Sequence, residues 1–130
     1  MPALPFLAGL AALIPFTAPG FLPPPGTEQL PSSTIVLTAA HAGSLDAEVV
    51  RLHCEPTGGD HQNAAKACAD LLRADGDVQA VEDTDGACTL EYDPVQVTAQ
   101  GTWRSEPVDF EATYPNACAL AHDTGSVFAF

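Results

Sequence analysis

Four cysteines, Cys54, Cys68, Cys88 and Cys118, constrain what this chain can fold into more than any other feature. They are even in number and well separated, and no C-x-x-C pair points to zinc or to a thioredoxin-type redox centre. The 130 residues allow one domain at most, and the first 31 do not read as part of it. About a hundred residues remain, enough for a modest core of the kind that exported domains commonly supplement with disulfides. Two structural disulfides are therefore expected, with all three pairings still open.

The leader supports export. An apolar run over residues 4–14 has the length of a secretory h-region and is too short to span a membrane. It reads as a signal peptide, although no Lys or Arg precedes it and the first basic residue is Arg51. Pro5 and Pro15 interrupt the run and argue against a buried helix. Pro19, Gly20, Pro23, Pro24, Pro25, Gly26 and Pro31 then favour extended, unpacked chain. The expected organisation is a leader over residues 1–31 and a folded, secreted, extracellular domain over residues 32–130. The charge of the whole chain narrows the partners. Four basic against seventeen acidic residues give −13, which repels phosphate backbones and anionic lipids, so nucleic acid and membranes are poor partners.

Residues 33–41 are rich in β-branched side chains and residues 48–54 alternate with period two, which predicts a hairpin around Gly43-Ser44. Gly58-Gly59 breaks the chain. Asp60 is the expected N-cap of a helix to about Arg73, with Ala64, Ala67, Cys68, Leu71 and Leu72 inward. A third strand follows Pro94, Gly101 is expected to turn it, and residues 103–114 give a fourth whose Pro107 implies an irregular or edge position. A helical turn over 117–121 and a last strand over 126–130 complete the pattern. The fold class is α+β: an antiparallel sheet of about five strands, two short helices packed on it, and two disulfides.

Groups that would make an enzyme are not arranged to do so. His41 and His53 are placed to meet across the first hairpin, while His61 and His122 lie on or near helical turns, where surface or capping roles account for them. H-E-x-x-H, G-x-S-x-G and Cys-His signatures are lacking, so no enzyme, metal or cofactor is expected. Asp83-Thr84-Asp85-Gly86 echoes a calcium loop, but the first and twelfth positions would be Val81 and Tyr92, which supply no carboxylate.

Residues 86–94, Gly-Ala-Cys-Thr-Leu-Glu-Tyr-Asp-Pro, carry a different chemistry. Leu90 stands between a disulfide cysteine, Cys88, and the rigid Asp93-Pro94 step. That is how a segment is built to enter a protease cleft extended without relaxing after attack. Alone, Leu90 reads equally well as a core residue entering the third strand. The wider pattern decides. Cys-Thr-Leu-Glu-Tyr-Asp-Pro-Val (88–95) resembles the reactive-site segment of the Streptomyces subtilisin inhibitor family, with its C-P/T-x-x-Y-D-P pattern. Ile35-Val36-Leu37-Thr38 resembles that family's first strand, Ala67-Cys68-Ala69-Asp70-Leu71 its helical cysteine motif, Asn116-Ala117-Cys118 its fourth cysteine, and Gly125-Ser126-Val127-Phe128-Ala129-Phe130 its end.

The resemblance, over residues 33–130, implies Leu90-Glu91 as the reactive bond, with Leu90 entering the primary pocket. It places Ala87, Cys88 and Thr89 on the non-primed side of the protease cleft and Tyr92 and Asp93 on the primed side. It also implies the pairings Cys54 to Cys68 and Cys88 to Cys118, and a homodimer that packs sheet on sheet. The partner implied is an extracellular serine protease of subtilisin type, with chymotrypsin-like enzymes a second class. Thr89 stands where the best-known members have Pro, and Glu91 sets a negative charge beside the bond. The alternative reading is a secreted, non-inhibitory binding module on the same scaffold.

Overall fold

The computed structural model describes residues 29–82 and 86–130, together with Gly9, Pro15 and Gly20. The expected leader therefore lies almost wholly outside the described residues, as do Asp83, Thr84 and Asp85 of the calcium-loop echo. Among the described residues, no helix is long and apolar enough to cross a membrane.

Strands β1 (Ser33–His41), β2 (Glu48–Cys54), β3 (Gly58–Gly59), β4 (Val95–Trp103) and β5 (Glu106–Tyr114) form one antiparallel sheet in the order β3-β2-β1-β4-β5. Period-two alternation sorts the side chains by face. Ile35, Leu37, Leu52, Val95, Val97 and Ala99 are buried on one face. Helix α1 (Ala64–Arg73) covers that face against β2 and β3, and α2 (Ala117–Thr124) covers it beside β5. On the opposite face Thr38 and Thr98 meet across β1 and β4 through their hydroxyls, and Gln96 bonds Glu111 at 3.0 Å. Both disulfides follow the implied pairing, Cys54–Cys68 and Cys88–Cys118.

Several local expectations need correcting. The hairpin turn between β4 and β5 falls at Arg104 and Ser105, both with positive φ (45° and 72°), and not at Gly101. Gly101 stays in the strand at φ +153° because a Cβ there would lie 2.1 Å from the Thr34 carbonyl oxygen; it allows β4 to lie close to β1. The left-handed residues are non-glycine and cost about 1 kcal/mol each. That cost is offset where the Arg104 amide donates to Ser33 Oγ at 3.0 Å and its guanidinium pairs with Glu55.

Helix α1 begins later than expected. Asp60 is not its cap; its carboxylate accepts from the Arg51 amide, and Asn63 precedes the helix. Ala67, Cys68 and Leu71 face the core, whereas Leu72 is rotated about 100° away and is exposed. The fifth strand is the short Gly58–Gly59 pair. Residues 126–130 form no strand, yet Val127 and Phe128 are buried. Their backbone is bound by turns and side chains instead: Val127 N donates to Thr124 O and Ala129 N to Ser126 O, both at 3.2 Å, Ser126 N donates to Asp70 at 2.8 Å and Asn63 Nδ2 donates to the Ala129 oxygen at 2.7 Å. His61, expected near the surface, is buried. Its Nδ1 accepts from the Asn63 amide at 2.9 Å, which leaves Nε2 to donate to the Val127 oxygen at 2.8 Å.

Candidate functional site

The segment between the 3-10 turn Val78–Ala80 and β4 has neither helix nor strand over residues 86–94. Cys88 is half-buried, Thr89 and Glu91 are exposed, and Leu90 is fully exposed at 100%. Leu90 is therefore no core residue. Leaving a leucine in water forgoes about 1.5–3 kcal/mol of burial.

Three attachments hold the backbone around it. First, Cys88 is bonded to Cys118 in the first turn of α2. Second, Asn116 Nδ2 donates to the carbonyl oxygens of Thr89 at 3.2 Å and of Glu91 at 2.8 Å, the residues either side of Leu90. Third, beyond Tyr92, the Asp93 amide donates to Pro115 O at 2.8 Å and Pro94 O accepts from the Ala42 amide at 2.9 Å. Val95 then enters the sheet, buried between His41 and Tyr114 as its strand neighbours.

Asn116 unites two tasks. Its Oδ1 caps α2 by accepting from the Ala119 amide at 2.8 Å, which fixes the side chain so that Nδ2 faces the loop. The residue is itself buried (8% exposed), so its bonds form where water competes poorly. No sequence motif points to this role; the available signal is an Asn two places before the cysteine that tethers the loop. His41, expected to meet His53 across the first hairpin, instead has its Nδ1 3.4 Å from Asp93 Oδ1.

Of the expected contact residues, Ala87, Thr89, Leu90, Glu91, Tyr92 and Asp93 are all exposed, and Tyr92 retains 79% of its surface. They form one exposed ridge along the chain. The histidines do not assemble. His41 faces Asp93, His53 Nδ1 lies 3.1 Å from Thr34 Oγ1, His61 is in the core and His122 lies against Asp123 at 3.1 Å. Among the described residues no three His, Cys, Asp or Glu side chains come together as a metal site. An open pocket of about 590 Å³ between β5 and α2, lined in part by Val81, Phe110, Tyr114 and Asp123, lies off the ridge. Within it, burial pushes the Tyr114 phenol above its ordinary range, and Asp123 adds to the effect.

An exposed, tethered segment with a fully bare leucine can act as a peptide held ready for a cleft. Comparison with known proteins gives this a context. Residues 31–116 match the family described as Subtilisin inhibitor-like. The chain is 44% identical over 105 residues to Subtilisin inhibitor-like protein 1 of Streptomyces cacaoi, covering 75% of this chain and 96% of the relative. It is 39% identical over 130 residues to Trypsin inhibitor STI2 of Streptomyces longisporus, covering 95% and 85%. Among solved structures, Streptomyces caespitosus sermetstatin in complex with Bacillus licheniformis subtilisin is similar at a TM-score of 0.58 and 29% identity, over 75% of this chain and 98% of that one.

Proposed function

Because the chain belongs to the subtilisin inhibitor-like family, we propose that it inhibits subtilisin-type serine proteases through a reactive bond between Leu90 and Glu91. The observation that carries the assignment is a fully exposed Leu90 whose two neighbouring carbonyls are both held by Asn116. Leu90 fills the primary pocket, Ala87, Cys88 and Thr89 lie along the non-primed side, and Tyr92 and Asp93 along the primed side.

Inhibition follows from restraint. The protease serine attacks the Leu90 carbonyl as it would a substrate, and the Glu91 amine is the leaving group. In a flexible peptide that amine diffuses away. Here Asn116, the Cys88–Cys118 bridge and β4 keep both new ends in place, so religation competes with escape. The same restraint means that little conformational entropy is lost on docking, and an interface of standard size, roughly 1,600 Å², then suffices for tight binding. The inhibitor itself supplies no catalytic group.

An aliphatic Leu90 favours subtilisin-like enzymes and suits chymotrypsin-like ones less well, whereas a trypsin-like pocket would keep its buried carboxylate unpaired. Export is part of the same reading, supported by the apolar run of residues 4–14 and by two disulfides that persist only in an oxidising compartment. A homodimer is also part of it. The sheet face not covered by helices, with Val49 exposed at its margin, is the surface on which two copies would pack.

Stoichiometric titration of subtilisin tests the function, with mass spectrometry to locate slow cleavage between Leu90 and Glu91. Leu90→Lys should lose subtilisin inhibition and gain trypsin inhibition. A protein that leaves subtilisin active at equimolar ratio would be a non-inhibitory binding module. A Leu90→Lys variant that still inhibits subtilisin and gains nothing against trypsin would move the reactive bond elsewhere.

A further inference from the structure

Among the described residues the large apolar side chains left exposed are Leu30, Leu45, Val49, Leu72, Leu90 and Tyr92. Leu45, Leu90 and Tyr92 lie toward the same end of the sheet. Leu45 tips the turn between β1 and β2, and that turn starts where the Ala42 amide donates to Pro94 O at 2.9 Å and His41 approaches Asp93 at 3.4 Å. Leu45 is three residues from Ala42, and Tyr92 two from Pro94. At about 3.5 Å per residue, with about 5 Å across the Ala42–Pro94 pair, their Cα atoms are within roughly 23 Å of each other. A standard interface covers about 800 Å² per partner, a patch some 30 Å across, so one bound molecule can reach both.

We propose that the β1–β2 turn, through Leu45, is a second docking point for the protease held by the reactive loop, meeting an apolar rim just beyond the primed side of its cleft. The proposal rests on the reactive-loop reading and extends the footprint past Asp93. Single exposed leucines are ordinary on protein surfaces, and Leu72 on α1 is one. Leu45 differs in its presentation and its position. The turn is tied by Ser44 N to His41 O at 3.0 Å, and by Asp46 N to Ser44 Oγ at 3.1 Å, which leaves Leu45 between them fully in water. A side chain on an ordered turn loses less freedom on docking than one on a loose loop. It is also continuous with Tyr92 and Leu90 through the His41–Asp93 and Ala42–Pro94 contacts, so a body seated on the reactive loop is already at hand to cover it.

The full chain carrying Leu45→Asp, Leu45→Ala or Leu45→Met, with Leu72→Asp as the control for losing an exposed leucine, would be titrated against subtilisin for inhibition constant and dissociation rate. Leu45→Asp is expected to weaken inhibition about tenfold through faster dissociation, Leu45→Ala about threefold, and Leu45→Met to restore it. Cleavage should stay between Leu90 and Glu91 throughout, and Leu72→Asp should match the parent. An unchanged inhibition constant for Leu45→Asp beside a strongly inhibiting parent overturns the second docking point alone. An unchanged constant with an altered sedimentation coefficient assigns Leu45 to contact with a second copy and overturns it too. A parent that does not inhibit overturns the reactive-loop reading, and this extension with it.

Discussion

Cys54–Cys68 and Cys88–Cys118 have the same Cα separation, 5.7 Å, in contrasting surroundings. The first joins β2 to α1 between two buried sulfurs, within a cluster that includes Leu52, Ala67 and Leu71. The second joins a half-buried cysteine to an exposed one, and the segment it tethers places Thr89, Leu90 and Glu91 in solvent. Where apolar packing already fixes the chain, a disulfide adds stability to a structure that packing defines. Where the side chains are kept free for a partner, packing is not available to fix the backbone. A covalent bond and the hydrogen bonds of a buried amide then take over that task. The two ends of the molecule therefore reach rigidity by different physical routes.

The largest expected effects come from deleting each bridge. By the chain-entropy relation, sequence separations of 14 and 30 residues give about 3 and about 4 kcal/mol, so the two deletions should cost similar stability. Their functional costs should diverge. Cys54→Ala/Cys68→Ala should unfold at lower urea yet still titrate subtilisin stoichiometrically while folded. Cys88→Ala/Cys118→Ala should become a substrate, cut after Leu90 and consumed over time. Urea denaturation beside a timed mass-spectrometric digest checks both. Equal rates of hydrolysis in the two variants would mean that overall stability, and not the local tether, sets the stiffness of the loop.

Asn116 sharpens the contrast because its two ends can be separated by chemistry. Asn116→Ala removes the helix cap and both donors to the loop, with an expected stability cost of about 1–2 kcal/mol. Asn116→Asp keeps an oxygen for the Ala119 amide but sets a carboxylate against the carbonyls of Thr89 and Glu91. Inhibition should fall about tenfold or more in both variants, whereas the helix cap survives only in the aspartate. Inhibition constants read with urea midpoints would reveal this split. If Asn116→Asp inhibits like the parent, the donors are not what holds the ridge.

The same division explains what could be read from the sequence. Strand β1 was legible from its β-branched side chains and β2 from its period-two alternation, both local signals. Cys88 and Pro94 alone left Leu90 as readily a core residue; the wider family pattern singled it out, and the fold leaves its side chain exposed. Gly101 misled because glycine marks both turns and close approaches, and only the register with Thr34 tells them apart. Residues 126–130 misled for a related reason: an apolar run shows that it will be buried, not whether its backbone will bond a strand or, as here, accept from Asn63 and donate to Asp70. Asn116 and His41 act through partners 25 residues or more away. No local pattern encodes such contacts.

The smallest expected effect probes the junction between the ridge and the core. Tyr114 closes β5 opposite Val95, and the next residue, Pro115, accepts the Asp93 amide. Burial, and after it the charge on Asp123, raises the Tyr114 phenol above its ordinary value near 10. The folded protein thus holds this proton more tightly than the unfolded chain does. The associated stability is fully present below about pH 10 and is lost as pH rises from there through the raised folded value. Tyr114→Phe has no proton to lose, so its urea midpoint should decline less than the parent's between about pH 9 and pH 11, with little difference near neutrality. Parallel alkaline limbs for the two proteins would mean that Tyr114 titrates alike folded and unfolded. The ridge would then be anchored to a strand end open to water rather than to one packed against α2.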